Sequence, residues 1–332
     1  MEFLPRRKHP DHVTVIGAGK FGSAIAQVIS KDGTPTTLVT RSQSRLDTLR
    51  QRMAKRPPSL HIQTLERVRL GEHVFLALPS SDFPEVVARL ALSDHASSQR
   101  SYTTLSKGLA EPDGSTPLEI VTSAFGADRC AVASGPSLAA EMTRFPTGLV
   151  VAATNEQLRT DVASLLASPT TSCELSDDPH GIEFAGIAKN IATLGFHACH
   201  RATGSLNIAG MYTSRLFGEV CNYAQTLGAT PMSFIGTAGV GDLMTTSHAN
   251  TSRNVQAGRL LGDRADLSTS VIEAKVEQVV ESLHTVPLLI RRIDSETPDS
   301  RIPAIRMLGA RITGDISQPE WSRRLLYGQS TE

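Results

Sequence analysis

Two short segments in the second half of the chain carry residues that could move a proton. Lys189 and Asn190 interrupt a run of small and apolar residues, and Asp242 follows the glycine-rich run 236–241. A lysine that is desolvated near a carboxylate can protonate a developing alkoxide and recover the proton in the reverse direction. We therefore interpret Lys189 and Asp242 as a candidate acid/base pair. The alternative is a lysine that extends along an apolar surface to reach solvent.

A third polar segment has residue types that bind anions. Ser252, Arg253 and Asn254 follow a polar stretch, in the order typical of a helix start that carries a guanidinium. A fixed guanidinium binds phosphate through two parallel hydrogen bonds. The alternative is an ordinary serine N-cap.

A candidate cofactor site lies near the N-terminus, where a β-branched run ends in a Gly-x-Gly-x-x-Gly motif. In such a motif Gly17 would permit the tight turn, Gly19 the approach of a pyrophosphate, and Gly22 the packing of the next helix on the sheet. The helix start would then offer free N–H groups to the phosphates. The order strand, glycines, helix predicts a dinucleotide site, and the alternative is a purely structural glycine turn.

The end of the second predicted strand bears on which dinucleotide is bound. Arg41 and Arg45 follow this strand, and no carboxylate appears before Asp47. An arginine pairs with a 2′-phosphate, which a carboxylate would repel. The pattern favours NADP(H), with NAD(H) possible. The alternative is that both arginines are solvated surface charges.

The elements that must position these residues change character along the chain. Apolar runs predict strands at 12–16, 36–40, 74–78, 102–105, 131–133 and 149–153, with helical stretches between them and a helix beginning at 138–142. Because ligands bind beyond the carboxyl ends of parallel strands, Pro79, Lys107 and Gly135 should line one crevice with the glycine motif.

After about residue 178, helical spacing prevails, and we predict helices at 181–200, 208–227, 253–261, 271–292 and 303–311. The predicted fold is α/β: an N-terminal Rossmann-type, doubly wound, mostly parallel sheet, followed by an all-α domain. The predicted domains are 1–177, which binds the dinucleotide, and 178–332, which binds substrate and carries the catalytic residues.

Composition narrows the class of protein. The chain has 332 residues, a formal net charge of zero and 40% apolar residues, so we expect no nucleic-acid or membrane partner. Residues 1–12 are basic and lack an apolar run, which indicates a short tail rather than a signal peptide. The four cysteines are scattered, so we expect reduced thiols, no metal site and a cytoplasmic protein.

Taken together, these motifs resemble those of the bacterial NAD(P)-dependent sn-glycerol-3-phosphate dehydrogenases. The resemblance spans nearly the whole chain in order: G-A-G-K-F-G at 17–22, S-K-G at 106–108, S-G-P-S-L-A-A-E at 134–141, A-K-N at 188–190, A-G-V-G-D-L at 238–243 and N-T-S-R-N at 250–254.

The resemblance implies reduction of dihydroxyacetone phosphate, phospholipid precursor synthesis and a homodimer. It assigns Lys189 as general acid/base, with Asp242, Asn190 and Lys107 as further catalytic residues. The implied cofactor contacts are Gly17, Gly19, Lys20, Phe21, Gly22, Arg41, Pro79, Lys107, Ala139, Arg253, Val279 and Glu281. The implied substrate contacts are Lys107, Gly135, Ser137, Lys189, Asp242, Thr246, Ser252, Arg253 and Asn254.

The chain departs from the family pattern in one helix. The family carries a basic residue two positions after an asparagine, whereas Asn207 is followed by Ile208, Ala209 and Gly210. Two alternatives therefore stay open. One is an enzyme for a different phosphorylated or phosphonate-like hydroxy-ketone, and the other is a non-catalytic NADPH-binding regulator.

Overall fold

A computed structural model describes residues 12–93, 99–142, 144–263 and 266–327. They group into two compact units: the described parts of Met1–Ser106 with Thr116–Glu183, and of Lys107–Ser115 with Phe184–Glu332. The domain boundary placed at 177/178 stays a prediction. The predicted basic tail lies outside the described residues, except for His12. No helix within the described ranges is long and apolar enough to cross a membrane.

The first unit is built on one eight-stranded sheet. Its strands are β1 Val13–Ile16, β2 Thr36–Thr40, β3 Leu60–Thr64, β4 His73–Leu76, β5 Ser101–Thr104, β6 Cys130–Ser134, β7 Thr147–Ala152 and β8 Thr171–Ser176. The order across the sheet is β3-β2-β1-β4-β5-β6-β7-β8, and every neighbouring pair is parallel except β6 and β7. The predicted mostly parallel α/β sheet is confirmed.

Helices pack on this sheet. They are α1 Lys20–Ser30, α2 Gln43–Arg52, α3 Phe83–Ser93, α4 Pro117–Phe125, α5 Glu156–Leu166 and the start of α6 Pro179–Thr203. The helix predicted to begin at 138–142 is wrong. Residues 139–142 form turns, closed by the amides of Glu141 and Met142 on the carbonyl of Leu138. Only four residues separate Met142 from β7, which is too short a connection for a helix.

The second unit is mostly helical in its described residues, apart from segment 107–115, where Ala110 and Ser115 form an isolated β-bridge. Its helices after α6 are α7 Leu206–Thr226, α8 Pro231–Ile235, α9 Asp242–His248, α10 Arg253–Leu261, α11 Thr269–Val276, α12 Glu281–Glu296, α13 Pro303–Thr313 and α14 Gln318–Tyr327. The single helix predicted at 271–292 is divided, because Glu277 adopts a left-handed conformation with φ 57° and ends α11. Trp321 and Phe184 lie fully buried in the apolar core.

The glycine motif forms the turn from β1 into α1. Gly17 has φ 110°, a conformation that L side chains rarely adopt. A Cβ on Gly22 would lie 1.9 Å from the carbonyl oxygen of Gly17, so the turn and the helix approach more closely than any side chain allows. A Cβ on Gly19 would meet nothing within 4 Å. Gly22 is therefore required by the fold, whereas Gly19 leaves open space.

We expect Gly22→Ala to lower the free energy of unfolding by about 1–3 kcal/mol, because the added methyl group would overlap the carbonyl oxygen of Gly17. Gly19→Ala is the matched control. Its backbone, φ −70° and ψ −177°, suits any residue, and its cost should stay within about 0.5 kcal/mol. Denaturant unfolding of both variants measures the two effects. Equal losses would contradict the distinction.

Candidate active site

The second unit holds Asp242 at a bend built from glycines. A π-helical segment, Thr237–Gly241, runs directly into α9, whose first residue is Asp242. A Cβ on Gly239 would lie 1.8 Å from the carbonyl oxygen of Phe234, so only glycine fits there. The bend places the Asp242 carboxylate inside the unit, where its side chain is 4% exposed. π-helical segments of this kind often occur at functional sites.

Two ammonium groups share this carboxylate. Lys107 Nζ lies 2.5 Å from Asp242 Oδ2, and Lys189 Nζ lies 3.3 Å from the same oxygen. Lys189 also donates to Thr246 Oγ1 at 2.8 Å, and Thr246 Oγ1 donates to Asp242 Oδ1 at 3.1 Å. We call these four residues the lysine–aspartate cluster. With its side chain 8% exposed, Lys189 is buried and does not reach solvent as the alternative interpretation required.

The environment shifts the pKa values of this cluster in opposite directions. Burial lowers the pKa of Lys189 to about 8, against the attraction of Asp242, and the positive charge of Lys107 lowers it further. Burial alone would raise the pKa of Asp242, but the two ammonium groups outweigh it and hold that pKa below its ordinary value. At neutral pH the cluster therefore has an ionised carboxylate and a lysine able to give up its proton.

A second set of hydrogen bonds fixes the predicted asparagines. Asn254 Nδ2 donates to Asn190 Oδ1 at 2.9 Å, and Ser282 Oγ donates to Asn254 Oδ1 at 2.6 Å. Asn190 Nδ2 in turn donates to the carbonyl of Lys107 at 3.4 Å. The bonds join α6, α10 and α12 to the lysine–aspartate cluster. Motif reading did not identify Ser282, because its part depends on a contact 28 positions along the chain.

The predicted anion-binding segment starts α10. Ser252 is the N-cap residue, but its side chain makes no capping hydrogen bond, which argues against the ordinary N-cap interpretation. Arg253 is exposed and donates through Nη1 to the carbonyl of Val279 at 2.8 Å. The first turn of α10 holds no acidic residue. This helix start can therefore receive an anion through a guanidinium and free backbone N–H groups.

Arg292, which the sequence did not single out, anchors the segment that carries Lys107. Its guanidinium is buried, donates to the carbonyl of Gly114 at 3.0 Å and to Glu296 Oε1 at 3.0 Å, and lies 5.8 Å from the ring centre of Phe184. These contacts hold segment 107–115 against the helical unit. The nearest sequence signal is a charged residue on the apolar face of a helix.

In the first unit, the glycine motif fits a dinucleotide. The space beside Gly19 and the start of α1, which has no acidic residue in its first turn, suit a pyrophosphate. Lys20 and Phe21 begin that helix. The remaining predicted residues of this unit follow strand ends: Arg41 after β2, Pro79 after β4, and Gly135, Ser137 and Ala139 after β6.

Three of these strand-end residues take part in hydrogen bonds or ion pairs. Gly135 has φ 148°, and Ser137 Oγ donates to its carbonyl at 2.9 Å. Arg41 Nη2 pairs with Asp82 Oδ2 at 2.7 Å, a partner that the sequence analysis missed. The crevice that was to unite Pro79, Lys107 and the glycines stays a prediction.

The two residues that depart from the family pattern, Ala209 and Gly210, lie near the start of α7. Ala209 is fully buried among apolar residues, and Gly210 is exposed with nothing within 4 Å of an added Cβ. Neither position carries a charge.

Among the described residues, no group of three or more histidine, cysteine or acidic side chains could hold a metal ion.

Comparison with known proteins gives consistent matches. Residues 12–159 match the family described as NAD-dependent glycerol-3-phosphate dehydrogenase N-terminus, and residues 178–317 the corresponding C-terminus. A glycerol-3-phosphate dehydrogenase (NAD(P)+) of Acinetobacter baylyi is 31% identical over 285 residues, 82% of this chain and 78% of that protein. One from Pseudomonas paraeruginosa is 30% identical over 295 residues, 85% of each.

A solved structure shares the fold. The crystal structure of a glycerol-3-phosphate dehydrogenase from Coxiella burnetii superimposes with a TM-score of 0.85 at 23% identity, covering 96% of this chain and 100% of that one.

Val279 and Glu281, the last two predicted cofactor contacts, lie before and at the start of α12.

We expect Asp242→Asn to lower the free energy of unfolding by about 3–5 kcal/mol, because it removes the carboxylate that pairs with the buried ammonium group of Lys189. The substitution should lower the pKa of Lys189 below its present value of about 8, since Asp242 raises that pKa. Where the unfolded state binds more protons, stability rises with pH. The deficit should therefore be larger at pH about 6.5 than at pH about 8.5.

Denaturant unfolding at both pH values measures this deficit. Asp263→Asn is the matched control, because Asp263 pairs with Arg201 at the surface, and it should cost less than about 1 kcal/mol at either pH. A deficit for Asp242→Asn as small as that of the control would contradict the buried pairing.

Proposed function

The chain belongs to the NAD-dependent glycerol-3-phosphate dehydrogenase family and is an NAD(P)-dependent oxidoreductase acting on a CH–OH group, and we propose that it reduces dihydroxyacetone phosphate to sn-glycerol 3-phosphate, reversibly. The observation that carries the proposal is the buried Lys189, whose ammonium group shares the Asp242 carboxylate with Lys107. The other two interpretations, an altered substrate and a regulator, become outcomes of the tests.

The proposed chemistry adds a hydride and a proton to one carbonyl group. The bound nicotinamide supplies the hydride, which goes to the carbonyl carbon C2. Protonated Lys189 donates its proton to the C2 oxygen as negative charge develops there, and in the reverse direction neutral Lys189 accepts it. Asp242 and Thr246 hold the lysine nitrogen in place through the bonds described above. Asn190 and Lys107 complete the polar surroundings of the oxygen.

The substrate phosphate is assigned to the start of α10. Arg253 supplies a guanidinium, and Ser252 and Asn254 supply hydroxyl and amide groups beside it. Arg253 Nη1 donates to the carbonyl oxygen of Val279, and a phosphate oxygen would replace this neutral acceptor by a charged one. Thr246, Gly135 and Ser137 are the further proposed substrate contacts.

We assign the cofactor to the glycine motif, with NADP(H) preferred because Arg41 is the residue at the end of β2. Lys20, Phe21, Pro79, Lys107, Ala139, Arg253, Val279 and Glu281 are the further proposed contacts. We also propose that the protein supplies glycerol 3-phosphate for phospholipids in the cytoplasm as a homodimer. Light scattering after gel filtration tests the dimer.

The direct test follows NADPH oxidation by purified protein with dihydroxyacetone phosphate. Turnover within the ordinary range for enzymes, about 1–1000 per second, supports the proposal. NADPH binding without turnover overturns it. A panel of phosphorylated and phosphonate hydroxy-ketones then separates the two other interpretations, because a regulator would turn over none of them.

We expect Lys189→Ala to lower kcat by about 10²–10⁴-fold while cofactor affinity changes little, because the lysine acts on the substrate oxygen. In the unmodified protein, the pKa of about 8 for Lys189 sets the pH dependence. For ketone reduction, kcat/KM should fall as pH rises through this value, since the protonated form is needed. For alcohol oxidation it should rise.

Steady-state kinetics in both directions over this pH range gives the two profiles. Lys275→Ala, which removes an exposed lysine of α11, is the matched control and should keep both. If Lys189→Ala retains activity within a few-fold, Lys189 is not the acid.

We expect Arg41→Ala to weaken NADPH binding far more than NADH binding, by about ten-fold or more for NADPH, because only NADPH carries the 2′-phosphate. Arg52→Ala removes an exposed arginine from the other end of α2 and should affect neither cofactor. Calorimetric titration of each cofactor measures both constants. Equal weakening of NADPH and NADH would show that Arg41 does not read the 2′-phosphate.

A further inference from the structure

Asp82 is an acidic residue that the cofactor motifs do not include, yet it pairs with the residue assigned to the 2′-phosphate. Its Oδ2 accepts a hydrogen bond from Arg41 Nη2 at 2.7 Å. The two residues are 41 positions apart and follow different strands, Arg41 after β2 and Asp82 after β4. Sequence spacing therefore gave no indication of the pair.

The sheet topology places this ion pair at the edge where a dinucleotide would lie. β1 lies between β2 and β4, and all three strands are parallel. Their carboxyl ends therefore point the same way, with the glycine turn after β1 in the middle. In dinucleotide-binding sheets, the group at the end of β2 reads the adenosine ribose. Asp82 thus adds a second charge to the place where that ribose would be read.

The two partners differ in how firmly they are held. The amide of Asp82 donates to the carbonyl of Pro79 at 3.0 Å, and the next residue, Phe83, is fully buried. The Arg41 side chain is 71% exposed, against 27% for Asp82. The carboxylate is therefore the fixed partner, and the guanidinium is the one that can turn towards another anion.

From this geometry we propose that Asp82 sets the preference between NADPH and NADH by competing with the 2′-phosphate for Arg41. To bind the phosphate, Arg41 must give up or share its bond to Asp82. NADH carries a hydroxyl group there and leaves the ion pair intact. Asp82 thereby restrains the preference for NADPH and keeps NADH usable. The inference rests on the proposed function only in taking a nicotinamide dinucleotide as the ligand.

The test is Asp82→Asn, which removes the charge and keeps the shape of the side chain. Calorimetric titration with NADPH and NADH should show the NADPH Kd falling by about three- to five-fold, the size expected for an exposed ion pair. The NADH Kd should change by less than two-fold. Raising the salt concentration should shrink the NADPH effect, because exposed charges are screened. A ratio of the two Kd values that stays as in the unmodified protein overturns the proposal.

Glu85→Gln is the matched control, because Glu85 is an exposed carboxylate three residues further along the same segment, near Arg89. It should leave both Kd values unchanged. If it raises NADPH affinity as much as Asp82→Asn, the effect is one of general charge and the proposal fails.

The double variant Arg41→Ala with Asp82→Asn separates competition from direct repulsion. If Asp82 acts through Arg41, Asp82→Asn should no longer change NADPH affinity once Arg41 is absent. An effect of the same size in both backgrounds overturns the competition. These titrations need no ketone. A protein that fails to turn over dihydroxyacetone phosphate can therefore still confirm the role of Asp82. A protein that does turn it over can still show that Asp82 has no such role.

Discussion

The arrangement of the helical unit depends on one buried carboxylate that serves two ammonium groups. Burying a charge is costly, and a carboxylate shared by Lys107 and Lys189 offsets the cost for all three groups only with close geometry. Asp242 meets this requirement because the glycines of the π-helical bend bring the backbone against Phe234. The bend therefore positions the one carboxylate on which Lys107 and Lys189 converge.

The charge of the cluster connects its structure to its proposed substrate. Two ammonium groups and one carboxylate give the cluster one excess positive charge in a largely buried place. A phosphorylated substrate would bring negative charge towards it, which favours the protonated form of Lys189. In the proposed ketone reduction that form is the proton donor. The same attraction that binds the substrate would thus keep the acid in its working state.

Sequence could predict features that depend on local pattern and failed where distant contacts decide. The six inner strands of the sheet were identified, but β3 and β8 were not. They are the two edge strands of the sheet, and with sequences LHIQT and TSCELS they lack a continuous apolar run. The antiparallel direction of β7 is invisible to periodicity. The end of α11 at Glu277 is set by a single residue in an unusual backbone conformation.

The same limit explains which candidate residues the sequence singled out. Lys189, Asp242 and Arg253 were recognised because each is a charged residue in a local pattern that does not account for it. Arg292 contacts Gly114 across 178 positions, and Asp82 contacts Arg41 across 41, so no local pattern reveals them. Ala209 stands where the family pattern carries a basic residue, and it is buried in an apolar core. In the proposed function, the guanidinium of Arg253 is then the charged group that matches the substrate phosphate.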